Sequence, residues 1–161
     1  MNACEAKKIL LLYRGAIDDA DPQFQAALNL AKTDPETYSL ADLEREKKTV
    51  WDGVRNAQAL RAIKDMKAGD RVFIYESGGE SQVVGMADVV SAARPDPKDP
   101  KLTVVDFSFA GRIDPPVTLG EIKSSGLFND WALVRQGRLS TMAAPDAFVK
   151  WMRQKHPKAK I

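Results

Sequence analysis

Proline and glycine cut this chain into short pieces, and that punctuation limits its fold more than any other feature. The sequence carries 9 prolines and 10 glycines. Pro35 ends one apolar segment and Gly69 another. Pro95, Pro97 and Pro100 crowd a single loop, and Pro115-Pro116 and Pro145 follow. The longest apolar run, Ile9–Tyr13, falls far short of the roughly 18 residues of a membrane-spanning helix. Strands that do not alternate with long helices argue against a doubly wound sheet.

Between these breaks the pattern predicts short elements. Ala27 to Lys32 reads as a strand. Ser39 is a good N-cap, with Asp42 at the capping-box position and Glu44 to Lys48 as a solvated, charged end. Asn56 caps a second helix, with Leu60, Ile63 and Met66 at helical spacing and Gly69 as its stop. Val72–Tyr75 is β-rich, and Ser77-Gly78-Gly79-Glu80 supplies a hairpin turn to a strand from Gln82 to Val90. Gly85 in that strand marks a bulge or a close backbone approach. Thr103 to Ala110 alternates as a strand until Pro115-Pro116 breaks the chain. Thr118-Leu119-Gly120-Glu121 is a capping box, and Trp131–Val134 is apolar and reads as buried. Arg138–Met142 is a final strand, and Pro145 opens a helix with Phe148, Trp151 and Met152 on one stripe. The sum is about five or six strands and four helices in mixed order, an α+β class with a small curved or closed sheet. Residues 1–26 read as an N-terminal extension, 27–156 as the folded domain and 157–161 as a basic tail.

Composition removes several chemistries. One histidine, His156, and one cysteine, Cys4, leave no metal centre, no internal disulfide and no convincing nucleophilic triad. Phosphate-loop and dinucleotide fingerprints are missing. No cofactor and no catalytic residue is therefore expected. Asp34 with Asp52 or Glu76 offers a carboxylate pair, but the spacing does not demand acid–base work. The N-terminus carries no convincing secretory signal, so a cytoplasmic setting and no membrane partner are expected. A net charge of +2 argues against coating long nucleic acid, while a local phosphate contact stays open.

Four polar and aromatic stretches sit at strand ends or strand-to-helix junctions, where binding residues gather. They are Lys32-Thr33-Asp34-Pro35, Trp51-Asp52-Gly53-Val54-Arg55-Asn56, Tyr75-Glu76-Ser77 and Val134-Arg135-Gln136-Gly137-Arg138-Leu139-Ser140. Each has a plain structural reading as well. Lys32 and Asp34 suit a surface pair, Trp51 a core position, Asn56 a helix cap and Gly137 a turn. Arg55 suits either a phosphate contact or a pair with Asp52.

In this order and separation, W-D-G-V-R-N (Trp51–Asn56) and V-R-Q-G-R-L-S (Val134–Ser140) resemble the EVE domain family of the PUA-like superfamily. Lys32–Pro35, Asp34–Leu43, Met66–Val72 and Pro116–Leu119 resemble its connecting segments, and the likeness covers about Ala27 to Trp151. It implies a pseudobarrel of about five to six strands flanked by short helices. It also implies a non-catalytic module that holds a modified nucleobase of DNA or RNA in a pocket on the barrel. A base out of its stack needs a flat apolar face and hydrogen bonds at its edge. Trp51 or Tyr75 suits the face, and Thr33, Asp34, Asn56 and Ser140 suit the edge. Val54, Ser77 and Leu139 complete the expected pocket, and Lys32, Arg55, Arg135 and Arg138 are the expected phosphate contacts. Two positions depart from the family pattern. Thr33-Asp34 stands where K-S-E-P is usual, and Glu76 stands where F-Y-H-S has histidine. Two other readings remain: a less specific RNA-binding accessory protein, and a small-metabolite binder or enzyme built on Asp34 and Glu76.

Overall fold

The computed structural model describes residues 28–161. The predicted extension, Cys4 and the first residue of the predicted first strand lie outside the described residues. Twelve elements follow in order. They are β1 (Leu28–Thr33), α1 (Leu40–Glu46), β2 (Lys48–Trp51), α2 (Ala57–Lys64), β3 (Arg71–Glu76), β4 (Gln82–Val89), β5 (Arg94–Pro95), β6 (Thr103–Thr118), α3 (Leu119–Ser124), α4 (Ala132–Arg135), β7 (Thr141–Ala143) and α5 (Asp146–Lys155).

The strands form one mixed, curled sheet in the order β2-β6-β4-β3-β1-β7, with β5 added beside β6. This is a PUA-like half-barrel. β1 and β3 pair in parallel, Leu28 opposite Arg71 through Thr33 opposite Glu76. The crossover between them contains α1, β2 and α2. All other pairings are antiparallel. β2 and β7 are the two edges, and α2 packs against both β7 and β6, across the gap in the sheet. One part of the core holds Leu40, Leu43, Ile74 and Phe107. Another is aromatic: the Phe148 ring lies 5.1 Å from Phe73 and 4.5 Å from Trp131, clamping α5 to the sheet.

Several expected elements hold. Ser39 and Asp42 exchange both bonds of a capping box, and Asn56 Oδ1 accepts from the N–H groups of Gln58 and Ala59. Thr118 caps α3, but Glu121 makes no return bond and instead faces Lys155 at 3.5 Å. Gly85 is both bulged and crowded. The β4–β6 register slips between Val83 and Gly85, and a Cβ there would sit 2.6 Å from the Gly111 carbonyl and 2.6 Å from a Leu40 methyl.

Others are corrected. The sheet has seven strands and the described residues hold five helices. The charged run Glu44–Lys48 is exposed throughout, as expected, but its end is not helical: Lys47 adopts a positive φ of 69°, which ends the helix, and Lys48 opens an edge strand, Lys48–Trp51, along β6. α2 stops at Lys64. Gly69, at φ 99°, belongs to a later turn, where it donates to the Val89 carbonyl. Pro115-Pro116 does not break β6. The prolines fall between the paired positions Arg112 and Val117, where the ladder requires no N–H from them. Arg138–Ser140 is loop, and β7 starts at Thr141. At the basic end Ile161 is buried and its backbone oxygen accepts from Arg153 Nε.

The crowding at Gly85 yields a test. Gly85→Ala drives a methyl into backbone and should cost about 1–3 kcal/mol, the range for overpacking a filled core. Chemical denaturation reads this directly, and an unchanged midpoint would refute the close approach.

Candidate functional site

β1 and β3 run in parallel, so their C-terminal ends open at the same end of the barrel. Three of the four polar stretches meet there through hydrogen bonds. The Ser77 N–H donates to the Thr33 carbonyl at 2.9 Å, and Ser77 Oγ reaches the same oxygen at 3.3 Å. The Lys32 N–H donates to the Ser140 carbonyl at 2.7 Å, one residue beyond the β1–β7 ladder. Lys32 Nζ donates to the Gly137 carbonyl at 3.0 Å. The fourth stretch arrives through Tyr38, whose ring stands edge-on to Trp51 with centroids 6.4 Å apart.

Register divides the side chains between two faces. Residues opposite one another in a parallel pair point the same way, and successive residues alternate. Lys32 and Tyr75 therefore share one face, and the ammonium sits 5.5 Å from the ring centroid, within cation–π range. Thr33 and Glu76 share the other face, toward α1. There Thr33 Oγ1 donates to the Tyr38 carbonyl at 2.5 Å, and Glu76 Oε2 accepts from the Leu40 N–H at 2.9 Å.

The aromatic candidates are largely enclosed. Trp51 is 8% exposed and Tyr75 2%. Phe107 lies against Trp51 at 4.9 Å with a 31° tilt, so the core reading of Trp51 describes its packing. Val54 and Leu139 are buried as well. Asp34 is exposed and structural: its Oδ1 accepts from the Glu36 N–H, and its carbonyl accepts from Thr37 and Tyr38. This turn returns the chain from β1 toward Trp51. Asn56 is exposed, with Oδ1 spent on the α2 cap. Ser140 Oγ lies 3.5 Å from Thr141 Oγ1.

The four cations separate into two kinds. Lys32 is half-buried and already donates within the chain, so it is a strut between β1 and the 137–140 loop as much as a surface charge. Arg135 faces Asp130 at 3.4 Å across exposed ground. Arg55 and Arg138 are exposed and form no ion pair among the described residues, and the alternative pairing of Arg55 with Asp52 does not form.

Tyr38 is the residue that sequence reasoning missed. Its hydroxyl bonds Glu46 at 2.8 Å, and burial, ahead of the nearby Glu46 carboxylate, pushes its pKa up. Its position between a proline turn and a capping box was the available signal. Two open concavities lie on the α1 side of this junction and beyond it. One of about 450 Å³ is lined by Ser39, Glu76, Gln82 and Arg112 among others. A neighbour of about 530 Å³ reaches from Arg112 to Lys158. Neither is bordered by Thr33, Trp51 or Ser140. Among the described residues no group of three or more His, Cys, Asp or Glu gathers as metal ligands.

The curled mixed sheet and the junction at the ends of β1 and β3 define a small PUA-like domain. A family model described as EVE domain matches residues 28–155, and the chain belongs to that family. Human thymocyte nuclear protein 1 is 29% identical over 146 residues, covering 67% of this chain and 65% of its own length. The zebrafish (Danio rerio) protein of the same name is 31% identical over 115 residues, 56% of this chain and 50% of its own. The chain thus spans about half to two thirds of the curated relatives it matches. An NMR structure from Rhodopseudomonas palustris superposes with a TM-score of 0.76 at 31% identity, covering 80% of this chain and 92% of that one. Human THYN1 protein in complex with DNA containing 5-methylcytosine superposes with a TM-score of 0.75 at 24% identity, covering 83% and 99%, a likeness of fold.

The buried ammonium of Lys32 has a measurable consequence. Desolvation lowers its pKa from the ordinary lysine value of 10.5. A lowered folded-state value means that the folded chain binds fewer protons than the unfolded chain in the window just below 10.5. Stability should therefore gain from Lys32 as pH rises through that window. An NMR titration of the lysine side chains should find Lys32 deprotonating first, and a Lys32 midpoint equal to that of the surface lysines would refute the desolvation.

Proposed function

We propose that this chain is a non-catalytic nucleic-acid-binding module that reads a modified nucleobase at the β1–β3 end of its barrel. One observation carries the proposal: four separated stretches of an EVE domain meet at that end, and two of them carry exposed arginines, Arg55 and Arg138, that have no acidic partner among the described residues. On this reading the base stacks at Trp51, a contact worth roughly 1–3 kcal/mol per base. Phe107 already backs the indole and little of it is exposed, so the base meets the indole at the margin beside the Tyr38 wall, which stays in place. Ser77 and Ser140, with backbone groups of the same strand ends, address the base edge, and Thr33, whose hydroxyl holds the Tyr38 carbonyl, supports it from behind. Arg55 and Arg138 hold flanking phosphates. The complex of human THYN1 protein with DNA containing 5-methylcytosine supports DNA with that base as the first ligand to try.

The two carboxylates of the enzyme reading, Asp34 and Glu76, are occupied otherwise. Asp34 closes a turn and Glu76 accepts a backbone N–H, which favours binding over catalysis.

The test is direct titration with short oligonucleotides carrying one 5-methylcytosine or plain cytosine, as DNA and as RNA. Tighter binding to the modified DNA is the expected result. Equal affinity for both bases removes the reader claim, and a steep salt dependence with preference only for RNA favours the less specific RNA-binding reading. Arg138→Ala and Arg55→Ala should each weaken both oligonucleotides alike and reduce the salt slope by about one. A loss confined to the modified base would place that arginine at the base instead of the backbone.

A further inference from the structure

We propose that Glu76 is a positioning residue for the base seat, acting through the backbone of Tyr38–Leu40 rather than by touching the ligand. The inference rests on the reading above. Glu76 stands opposite Thr33 in the parallel register, and both side chains point toward α1. Thr33 Oγ1 takes hold of the Tyr38 carbonyl, and Glu76 Oε2 takes hold of the Leu40 N–H at 2.9 Å. Two adjacent strands thus grip the same short segment from its two ends. Between the grips lies Ser39, whose own bonds go to Asp42 within α1. Tyr38 hangs from this segment, with its ring edge toward Trp51 and its hydroxyl on Glu46.

The chemistry explains why an acceptor is placed there. The first N–H groups of a helix lack partners inside it. Ser39 satisfies Asp42, but it leaves the Leu40 N–H, and Glu76 supplies the missing oxygen from across the sheet. A buried or half-buried N–H left without an acceptor is costly, so the Glu76 oxygen fixes where the Tyr38 wall stands before any ligand arrives. A preorganised wall is worth affinity because the ordering is done in advance. The needed feature is an oxygen at that point, since a carboxylate and a carboxamide both provide one.

The experiment compares wild type, Glu76→Gln and Glu76→Ala in the full chain. Two quantities are read: amide hydrogen exchange at Leu40, and affinity for a DNA oligonucleotide with one 5-methylcytosine. Glu76→Gln should keep Leu40 protected and keep the affinity. Glu76→Ala should release Leu40 and weaken binding up to about tenfold, the scale of one lost hydrogen bond. Thr33→Val should also weaken binding, and the double variant Thr33→Val/Glu76→Ala should lose less than the two losses combined, because either change frees the same segment. Melting curves on each variant separate release of the segment from global unfolding. The proposal is overturned if Leu40 exchange is the same in all three chains. It is also overturned if Glu76→Gln loses as much affinity as Glu76→Ala, or if either binds more tightly, because the charge would then be facing the nucleic acid. A wild-type chain with no affinity for the oligonucleotide would defeat the reading of function, while Leu40 exchange would still decide what Glu76 holds.

Discussion

Everything at the candidate site depends on the parallel pairing of β1 with β3. That pairing aligns the two strands' C-terminal ends, sets Lys32 beside Tyr75 and Thr33 beside Glu76, and so decides which side chains work together. It joins residues more than forty positions apart, across a crossover that carries α1, β2 and α2. Because strand side chains alternate, a slip of one residue would exchange the faces. The ammonium would leave the tyrosine ring, and neither oxygen would meet the 38–40 segment. Ala31 and Ile74, opposed in the same register and buried, oppose such a slip.

A second feature follows from the first. The groups at this end are mostly engaged with one another. Lys32, Thr33, Asp34, Asn56 and Glu76 each bond to a backbone group, and Trp51 rests on Phe107. The polar stretches build a rigid frame, and the chemistry left over for a partner is narrow: a few hydroxyls, some backbone edges and two arginines. On the proposed reading such a frame would hold one flat group instead of making a broad electrostatic grip, in keeping with the small net charge of +2.

Local signals were legible in the sequence where a few neighbouring residues suffice. Ser39 with Asp42, Asn56 and Thr118 announced their caps, and Gly85 announced a crowded strand. The family likeness rested on motifs and survived comparison over residues 28–155. What could not be read depended on distant partners. Lys48 looks like the charged end of a helix until β6 is beside it, where it opens the strand Lys48–Trp51. Pro115-Pro116 looks like a break until the slipped β4–β6 register removes the demand for their N–H groups. The facing of Thr33 and Glu76 toward the 38–40 segment depends on parallel register, which the order of residues along the chain does not display. The resemblance offers Asp34 and Asn56 as base contacts; the Asn56 cap is legible beside that reading, while the turn that takes the Asp34 oxygen shows only in the geometry.

The position of β7 has a consequence for how the chain acquires its shape. β1 lies between β3 and β7, and β7, at Thr141–Ala143, is the last strand in the order of synthesis. One flank of β1 therefore waits, with its carbonyl and amide groups unsatisfied, until nearly the whole domain has left the ribosome. Pairings of such long sequence separation form late and slowly, and the gap in the sheet that α2 spans closes only when β7 arrives. A nascent chain halted before residue 141 would carry β1 as an open edge, a surface on which other extended chains can nucleate.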